Sequence, residues 1–177
     1  MRLRRSGEDV FLAVVSKREV RAYADRPLPD DALRRLLEAG RLAGSSRNRQ
    51  ARRFVVLRDA ALARAAEAVW SPENLSGAAL AVAIVIRGKG PTGFDAGRAA
   101  QNMMLAAWGD GIGSCPNGIA NPEALAAVLG HDGEEQVATL LSFGYPARPA
   151  DPESRTPDEW IERADRLAFD EVVEVRS

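Results

Sequence analysis

Phe94 to Trp108 limits what this chain can become more than any other stretch. Its apolar residues recur at helical spacing and continue almost all round the helix, with Arg98, Gln101 and Asn102 as the polar breaks in its body. Such a helix leaves little face for water, so it is buried on most sides, in a core or at a seam between subunits. Its alanines let neighbouring backbones come close. A second apolar run, Leu80 to Ile86 ahead of glycines, reads as an interior strand. At 177 residues the chain is long enough to wrap these two pieces in one domain, or in one subunit of a compact dimer.

Side-chain chemistry is scarce. Nothing in a net charge of −1 points to nucleic acid or an anionic membrane as the main partner. Met1 to Arg5 is basic, but the apolar run behind it, Val10 to Val15, is too short for a signal peptide core or a membrane span. A lone cysteine, Cys115, forms no internal disulfide and suits a reducing cytoplasm. One cysteine and one histidine, His131, do not make a metal site. We assign His131 no role, and read Cys115 as a small buried residue. An enzyme built this way borrows a cofactor for the difficult step.

Helices and strands are interspersed. Residues 8–16 form a short amphipathic helix, followed by Lys17, Arg18 and Arg21. Pro27 and Pro29 break the chain before a helix opened by Asp30 and Asp31, with Leu33, Leu36 and Leu37 on one face. Gly44 to Asn48 is a loop, Phe54 to Leu57 a strand, and Asp59 caps a helix reaching about Val69. Gly109 to Gly118 is expected as a glycine-rich turn, and Asn121-Pro122 opens a helix to Leu129. Val137 to Phe143 is a strand and Tyr145 to Pro157 an extended connection. A last helix spans Trp160 to Leu167, and Val172 to Val175 is an edge strand. On pattern alone, α+β and α/β are both open.

Gly88-Lys89-Gly90-Pro91-Thr92-Gly93 matches the G-x-G-x-x-G phosphate fingerprint and lies between a strand and a helix. Pro91 removes a donor where donors should face a pyrophosphate. The acid expected about 20 residues on would be Asp110, at a helix end and not a strand end. We read the segment as a flexible glycine loop and keep an NAD-binding domain using Gly88 to Gly93 as an alternative.

Four segments in order resemble the nitroreductase family of flavoproteins, over roughly residues 10–175. Lys17-Arg18-Glu19-Val20-Arg21-Ala22-Tyr23, then Pro27-Leu28-Pro29, is similar to the R-R-S-I/V-R-x-F/Y opening. Ala43 to Gln50, continuing to Arg53-Phe54-Val55-Val56, resembles A-P-S-S-x-N-x-Q-P-W-x-F-I/V-V. Asp95 to Ala107 with Gly111 to Pro116 resembles D-x-G-x-A-x-Q-N-L-L-L-A-A and G-L/I-G-S-C. Leu141 to Pro146 is similar to the strand ending in G-Y-P.

The resemblance implies an α+β fold with a central, mainly antiparallel sheet flanked by helices and the long buried helix at an obligate homodimer seam. Residues 1–177 would form a single domain, with 146–177 an extended arm on the partner subunit. FMN would lie between subunits and carry hydride from NADH or NADPH to a nitroaromatic, quinone or enone by a ping-pong route. Such transfer depends on geometry and flavin electronics, so no catalytic side chain is assigned.

By the same resemblance Lys17 and Arg18 match phosphate-side positions, and Arg166 returns to that phosphate. Arg21 approaches the flavin's pyrimidine end, where a cation steadies the reduced ring. Ser45, Ser46 and Asn48 meet the flavin from the other subunit. Pro116, Asn117 and Gly118 lay backbone against its central ring, with an N–H aimed at N5. Glu19 stands where the family has serine and would repel a phosphate unless turned away. Gln50-Ala51-Arg52 replaces Q-P-W, so the usual aromatic wall is missing. Trp70, Trp108 and Trp160 are read as packing residues. A flavin- or deazaflavin-binding protein without turnover is a further alternative.

Overall fold

The computed structural model describes residues 7–131 and 133–176, so the basic stretch Met1 to Arg5 lies outside the described residues. Two compact units emerge: Arg18–Ala150, and the described parts of Met1–Lys17 with Asp151–Ser177.

Arg18–Ala150 is built on a four-stranded sheet of β1 (Arg52–Leu57), β2 (Leu80–Arg87), β3 (Gly113–Asn117) and β4 (Glu135–Gly144), in the order β1-β2-β4-β3. Every neighbouring pair is antiparallel. The expected α+β architecture is therefore present. The strands on both sides of β2 run against it, so the parallel nucleotide-binding arrangement that Gly88 to Gly93 would need is absent. The dinucleotide alternative falls on that topology.

Helices cover both faces, which is why β2 is apolar throughout although its partners are antiparallel. Leu80, Val82 and Ile84 join Leu141 and Phe143 under α2 (Asp30–Arg41) and α4 (Thr92–Gly109). Ala81, Ala83 and Val85 join Leu140 under α3 (Asp59–Ala66) and α5 (Pro122–Leu129). The crossing of α2 and α4 is close because Gly40 faces Met103, whose sulfur lies 2.7 Å from where a Cβ would stand. On α4, Ala96, Ala99, Ala100, Met103, Met104, Ala107 and Trp108 are buried, while Phe94 is 69% exposed. The long helix is a core element with one open stripe.

Three local expectations need correction. Gly109 to Gly118 is not one turn, because Gly113–Asn117 pairs with β4 as a strand despite its poor strand composition. Asp59 is the first residue of α3 at φ +50° and makes no capping bond. That helix stops at Ala66, and Val69 pairs instead with Ile119. Asn121 does cap α5, its side chain accepting from Ala124 N at 3.0 Å.

In the other unit, α1 (Gly7–Ser16) packs against α6 (Pro157–Glu162) and the turn Pro152–Ser154. Helix α6 opens on a capping box: Thr156 Oγ1 accepts from Glu159 N, and Thr156 N donates to Glu159 Oε2 at 2.8 Å. Because Thr156 and Pro157 set the start, α6 lies earlier than expected and ends before Leu167. Trp160 is buried, its indole donating to Pro152 O at 2.8 Å. Val172 to Val175 is not a strand. Its first residue ends α7 (Phe169–Val172), and among the described residues of this unit no strand offers the rest an edge. Among the described residues no helix is long and apolar enough to cross a membrane, and no group of three potential metal ligands occurs.

Candidate functional site

The basic segment after α1 runs along the outer edge of β3. Glu19 pairs with Ser114 in a parallel bridge, and Val20 N donates to Ser114 O at 3.0 Å. Gly113 makes this possible, since Val20 Cβ lies 2.6 Å from where its own Cβ would be. Two residues past Arg21, Tyr23 turns inward. Its hydroxyl donates to Val20 O at 2.7 Å and shares a hydrogen bond of 2.8 Å with Ser142 Oγ. Burial pushes the Tyr23 phenol well above its ordinary value, against the lowering effect of Ser142. Ala24 N then donates to Tyr145 O at 2.8 Å, and Ala147 N to Ala22 O at 2.9 Å. The arm is thus tied to the sheet by two isolated bridges, Glu19 with Ser114 and Tyr23 with Pro146, with Arg21 exposed and Arg18 half-buried.

From Ser114 the edge continues into Pro116, Asn117 and Gly118. Pro116 and Gly118 are exposed. Asn117 is 5% exposed, its amide donating to Cys115 O at 3.0 Å, Leu140 O at 3.2 Å and Ser142 Oγ at 3.3 Å. Its side chain therefore ties β3 to β4, which leaves only its backbone to face a ligand. Cys115 is buried, its thiol donating to Pro116 O at 3.3 Å. Beyond the edge, Trp70 N donates to Gly118 O at 3.0 Å. Trp70 is exposed, so it is not the packing residue expected of it.

Ser45, Ser46 and Asn48 form a separate feature at the start of α4. Ser45 Oγ accepts from Gln50 N at 2.9 Å, and Ser46 N donates to Asp95 Oδ2 at 3.0 Å. Arg47 and Asn48 are both at φ +53° and Gln50 at +51°, a left-handed backbone that side chains seldom adopt. Such outliers cluster where a loop is held for a purpose. The neighbouring glycine loop is pinned by Arg49, whose Nη1 donates to Lys89 O at 3.2 Å.

Arg18, Glu19 and Arg21 thus lie on the arm that bonds to Ser114, and Pro116, Asn117 and Gly118 follow Ser114 in the chain. The structure anchors Ser45, Ser46 and Asn48 at the beginning of α4. Lys17 and Arg166 belong to the other unit: Lys17 is half-buried, and Arg166 is exposed on non-helical backbone just after Asp165 at φ +49°. A groove of about 380 Å³ beside Pro116 is lined by Gly97, Ala100, Met104 and Thr139 among others. A larger one of about 660 Å³ lies between the outer face of α2 and Phe54, away from all of these residues. Of the expected residues Pro116 alone lines the smaller groove, and none lines the larger. The sequence missed two anchoring residues. Tyr23 and Asp95 both stand in recognised motifs, but no local signal gives Tyr23 its bond to Ser142 or Asp95 its bond from Ser46.

The Nitroreductase family model matches residues 14–88 and 92–145. A protein of Archaeoglobus fulgidus, provisionally named NADH dehydrogenase/NAD(P)H nitroreductase, is 31% identical over 150 residues, covering 78% of this chain and 86% of the relative. An NADH dehydrogenase of Thermus thermophilus is 27% identical over 193 residues, covering 86% of this chain and 94% of the relative. Two crystal structures share the fold. One is a nitroreductase family protein from Clostridium difficile 630, with TM-score 0.80 and 22% identity, covering 94% of this chain and 98% of the other. The second, from Desulfovibrio desulfuricans and provisionally a nitroreductase, was solved in complex with FMN; TM-score is 0.81 and identity 24%, covering 95% and 96%.

Proposed function

From the premise that this chain belongs to the nitroreductase family, we propose that it is an FMN-dependent oxidoreductase acting as a homodimer. It passes hydride from NADH or NADPH to a small organic acceptor, a nitroaromatic, quinone or enone, in two alternating half-reactions. Bound FMN supplies the two-electron carrier; the protein supplies grip, orientation and field.

One observation supports the reading: Val20 N donates to Ser114 O, so the cationic arm bonds to the strand that leads into Pro116–Gly118. A phosphate of about two negative charges and a ring edge of mixed donors and acceptors need those two features side by side. The donor set fits FMN. Arg18 and Arg21 are cations on the arm, and Pro116–Gly118 offers backbone on an exposed edge. Arg18, with Lys17 and Arg166 added by family resemblance, holds the phosphate. Arg21 steadies negative charge at the pyrimidine end. Glu19 is exposed, so its carboxylate has room to turn to water. Ser45, Ser46 and Asn48 serve the partner's flavin.

Exposed apolar surface supports the dimer. Val10, Phe11 and Val14 on α1 are 65%, 50% and 51% exposed, and Phe94 on α4 is bare as well. Leu167, Phe169, Val172 and Val175 in the 146–177 arm are at least 62% exposed, as expected of a segment that lies on a second subunit. A single cysteine, which forms no internal disulfide, and a nicotinamide donor suit the cytoplasm.

An absorbance spectrum of the purified protein, with the released chromophore identified, tests the reading. We expect a yellow protein whose colour is lost in the Lys17→Ala/Arg166→Ala double variant. Unchanged FMN occupancy there would refute the phosphate assignment. A yellow wild type that fails to oxidise NADH in the presence of a quinone would favour a binding protein without turnover.

A further inference from the structure

We infer that Trp70 forms the aromatic wall of the acceptor site, on the reading that Pro116–Gly118 lies against the flavin. Trp70 is 76% exposed, whereas Trp108 and Trp160 are 5% and 6% exposed. An indole this open keeps a large flat apolar face available for a ring to stack on.

Its position is nonetheless fixed. Ala68 and Val69, which precede it, are buried, and Val69 pairs with Ile119. Trp70 N donates to Gly118 O, while Ala120 N and Asn121 N donate to Ala68 O at 2.8 and 3.0 Å. The indole occupies the space a side chain at 118 would take, its Cδ1 lying 3.0 Å from the place of that Cβ. One side of the ring is thus closed by the Gly118 backbone and the rest is open. The family's Q-P-W tryptophan is absent at Gln50-Ala51-Arg52. Trp70 supplies an aromatic plane from a different element, against Gly118 of the segment assigned to the flavin's central ring.

An electron-rich indole stacks best on a flat, electron-poor ring. The acceptor class is therefore a quinone or nitroaromatic in preference to an aliphatic enone. Stacking orients the ring plane without reading its substituents, so a range of such rings is accepted.

The test compares wild type, Trp70→Ala and Trp70→Phe as FMN-loaded proteins. Calorimetric titration of the oxidised proteins with 1,4-naphthoquinone, without a nicotinamide donor, reads binding apart from turnover. Steady-state KM is measured for 1,4-naphthoquinone and for 2-cyclohexen-1-one. In Trp70→Ala both the Kd and the KM for naphthoquinone should rise about threefold to tenfold, with most of the loss recovered in Trp70→Phe. The KM for cyclohexenone should move less than about twofold on the same stacking grounds. Unchanged naphthoquinone binding in a yellow Trp70→Ala protein overturns the inference alone. So does a weakened dimer with KM intact, which would make Trp70 a subunit contact. A colourless wild type overturns the flavin reading beneath it.

Discussion

Tyr23 fills the space that a side chain at position 144 would need: its Cδ1 lies 2.8 Å, and its Cγ 3.1 Å, from where a Cβ on Gly144 would stand. The same ring reaches Ser142 Oγ and Val20 O through its hydroxyl. One aromatic side chain thus fastens the cationic arm to the end of β4, and the glycine opposite is what lets it sit there.

Gly144→Ala should therefore injure more than the local packing. The added methyl meets the tyrosine ring on one side and Ala79 N at 3.2 Å on another, so neither neighbour yields easily. Overpacking of this kind costs about 1–3 kcal/mol, measurable as a lower urea midpoint. The displaced ring should also shift Arg18 and Arg21 and weaken FMN retention. Normal FMN affinity in a destabilised Gly144→Ala protein would show that Tyr23 does not transmit to the arm.

The Tyr23 hydroxyl predicts an alkaline limit to stability. Burial holds its folded-state pKa well above the ordinary value of about 10. A group with a raised folded pKa contributes stability that is complete below its unfolded pKa. That stability is lost as pH rises past it, because the unfolded chain releases a proton that the folded chain keeps. Denaturation midpoints of the wild type should fall more steeply than those of Tyr23→Phe above about pH 10. At neutral pH Tyr23→Phe should cost about 1 kcal/mol for its lost hydrogen bonds. Parallel pH curves for the two proteins would contradict the assignment.

What was legible in the sequence is what depends on local pattern. The apolar run of β2, the leucine face of α2, the Asn121 cap and the length of α4 all follow from spacing and turn chemistry. Strand β3 was not legible, because Gly113-Ser114-Cys115-Pro116-Asn117 has little strand preference and owes its shape to β4 on one side and the arm on the other. The end of α3 was missed for a similar reason: Val69 and Trp70 leave the helix to bond with Gly118 and Ile119, a pairing no local signal announces. At the carboxyl end the Thr156/Glu159 box is written in the sequence, while Val172 to Val175 has strand composition and, among the described residues of its unit, no strand to join. Within the site, the cations and polar loop could be named from motif order. Their supports, Tyr23 and Asp95, needed coordinates.

The capping box makes its own test. Thr156 Oγ1 accepts from Glu159 N, and the Thr156 N–H, with its hydroxyl second, holds the Glu159 carboxyl below the usual carboxylate range. Thr156→Ala should lower stability by about 0.5–2 kcal/mol in a thermal melt, with Thr156→Ser restoring most of it. Because α6 packs on α1, protease sensitivity should increase near Trp160 before the sheet unfolds. Equal melting of Thr156→Ala and wild type would mean that α6 is held by Trp160 alone.

Asp95 is the sharper probe of the site, since it touches the loop by one bond. Its Oδ2 accepts from Ser46 N at 3.0 Å, while Arg47, Asn48 and Gln50 are held in left-handed backbone. Removing the acceptor frees a strained turn that has little reason to keep its shape. A hydrogen bond to a charged group contributes about 1.5–3 kcal/mol, so Asp95→Ala should raise the FMN dissociation constant about tenfold or more. Asp95→Asn keeps an acceptor oxygen in the same place and should recover most of that affinity. It loses only the favourable charge in the first turn of α4, about 0.3–1 kcal/mol. Fluorimetric titration of apoprotein with FMN separates the cases. Wild-type affinity in Asp95→Ala would mean that the Ser45–Asn48 loop does not face the cofactor, and an equal loss in both variants would mean that the charge, not the loop, is what matters.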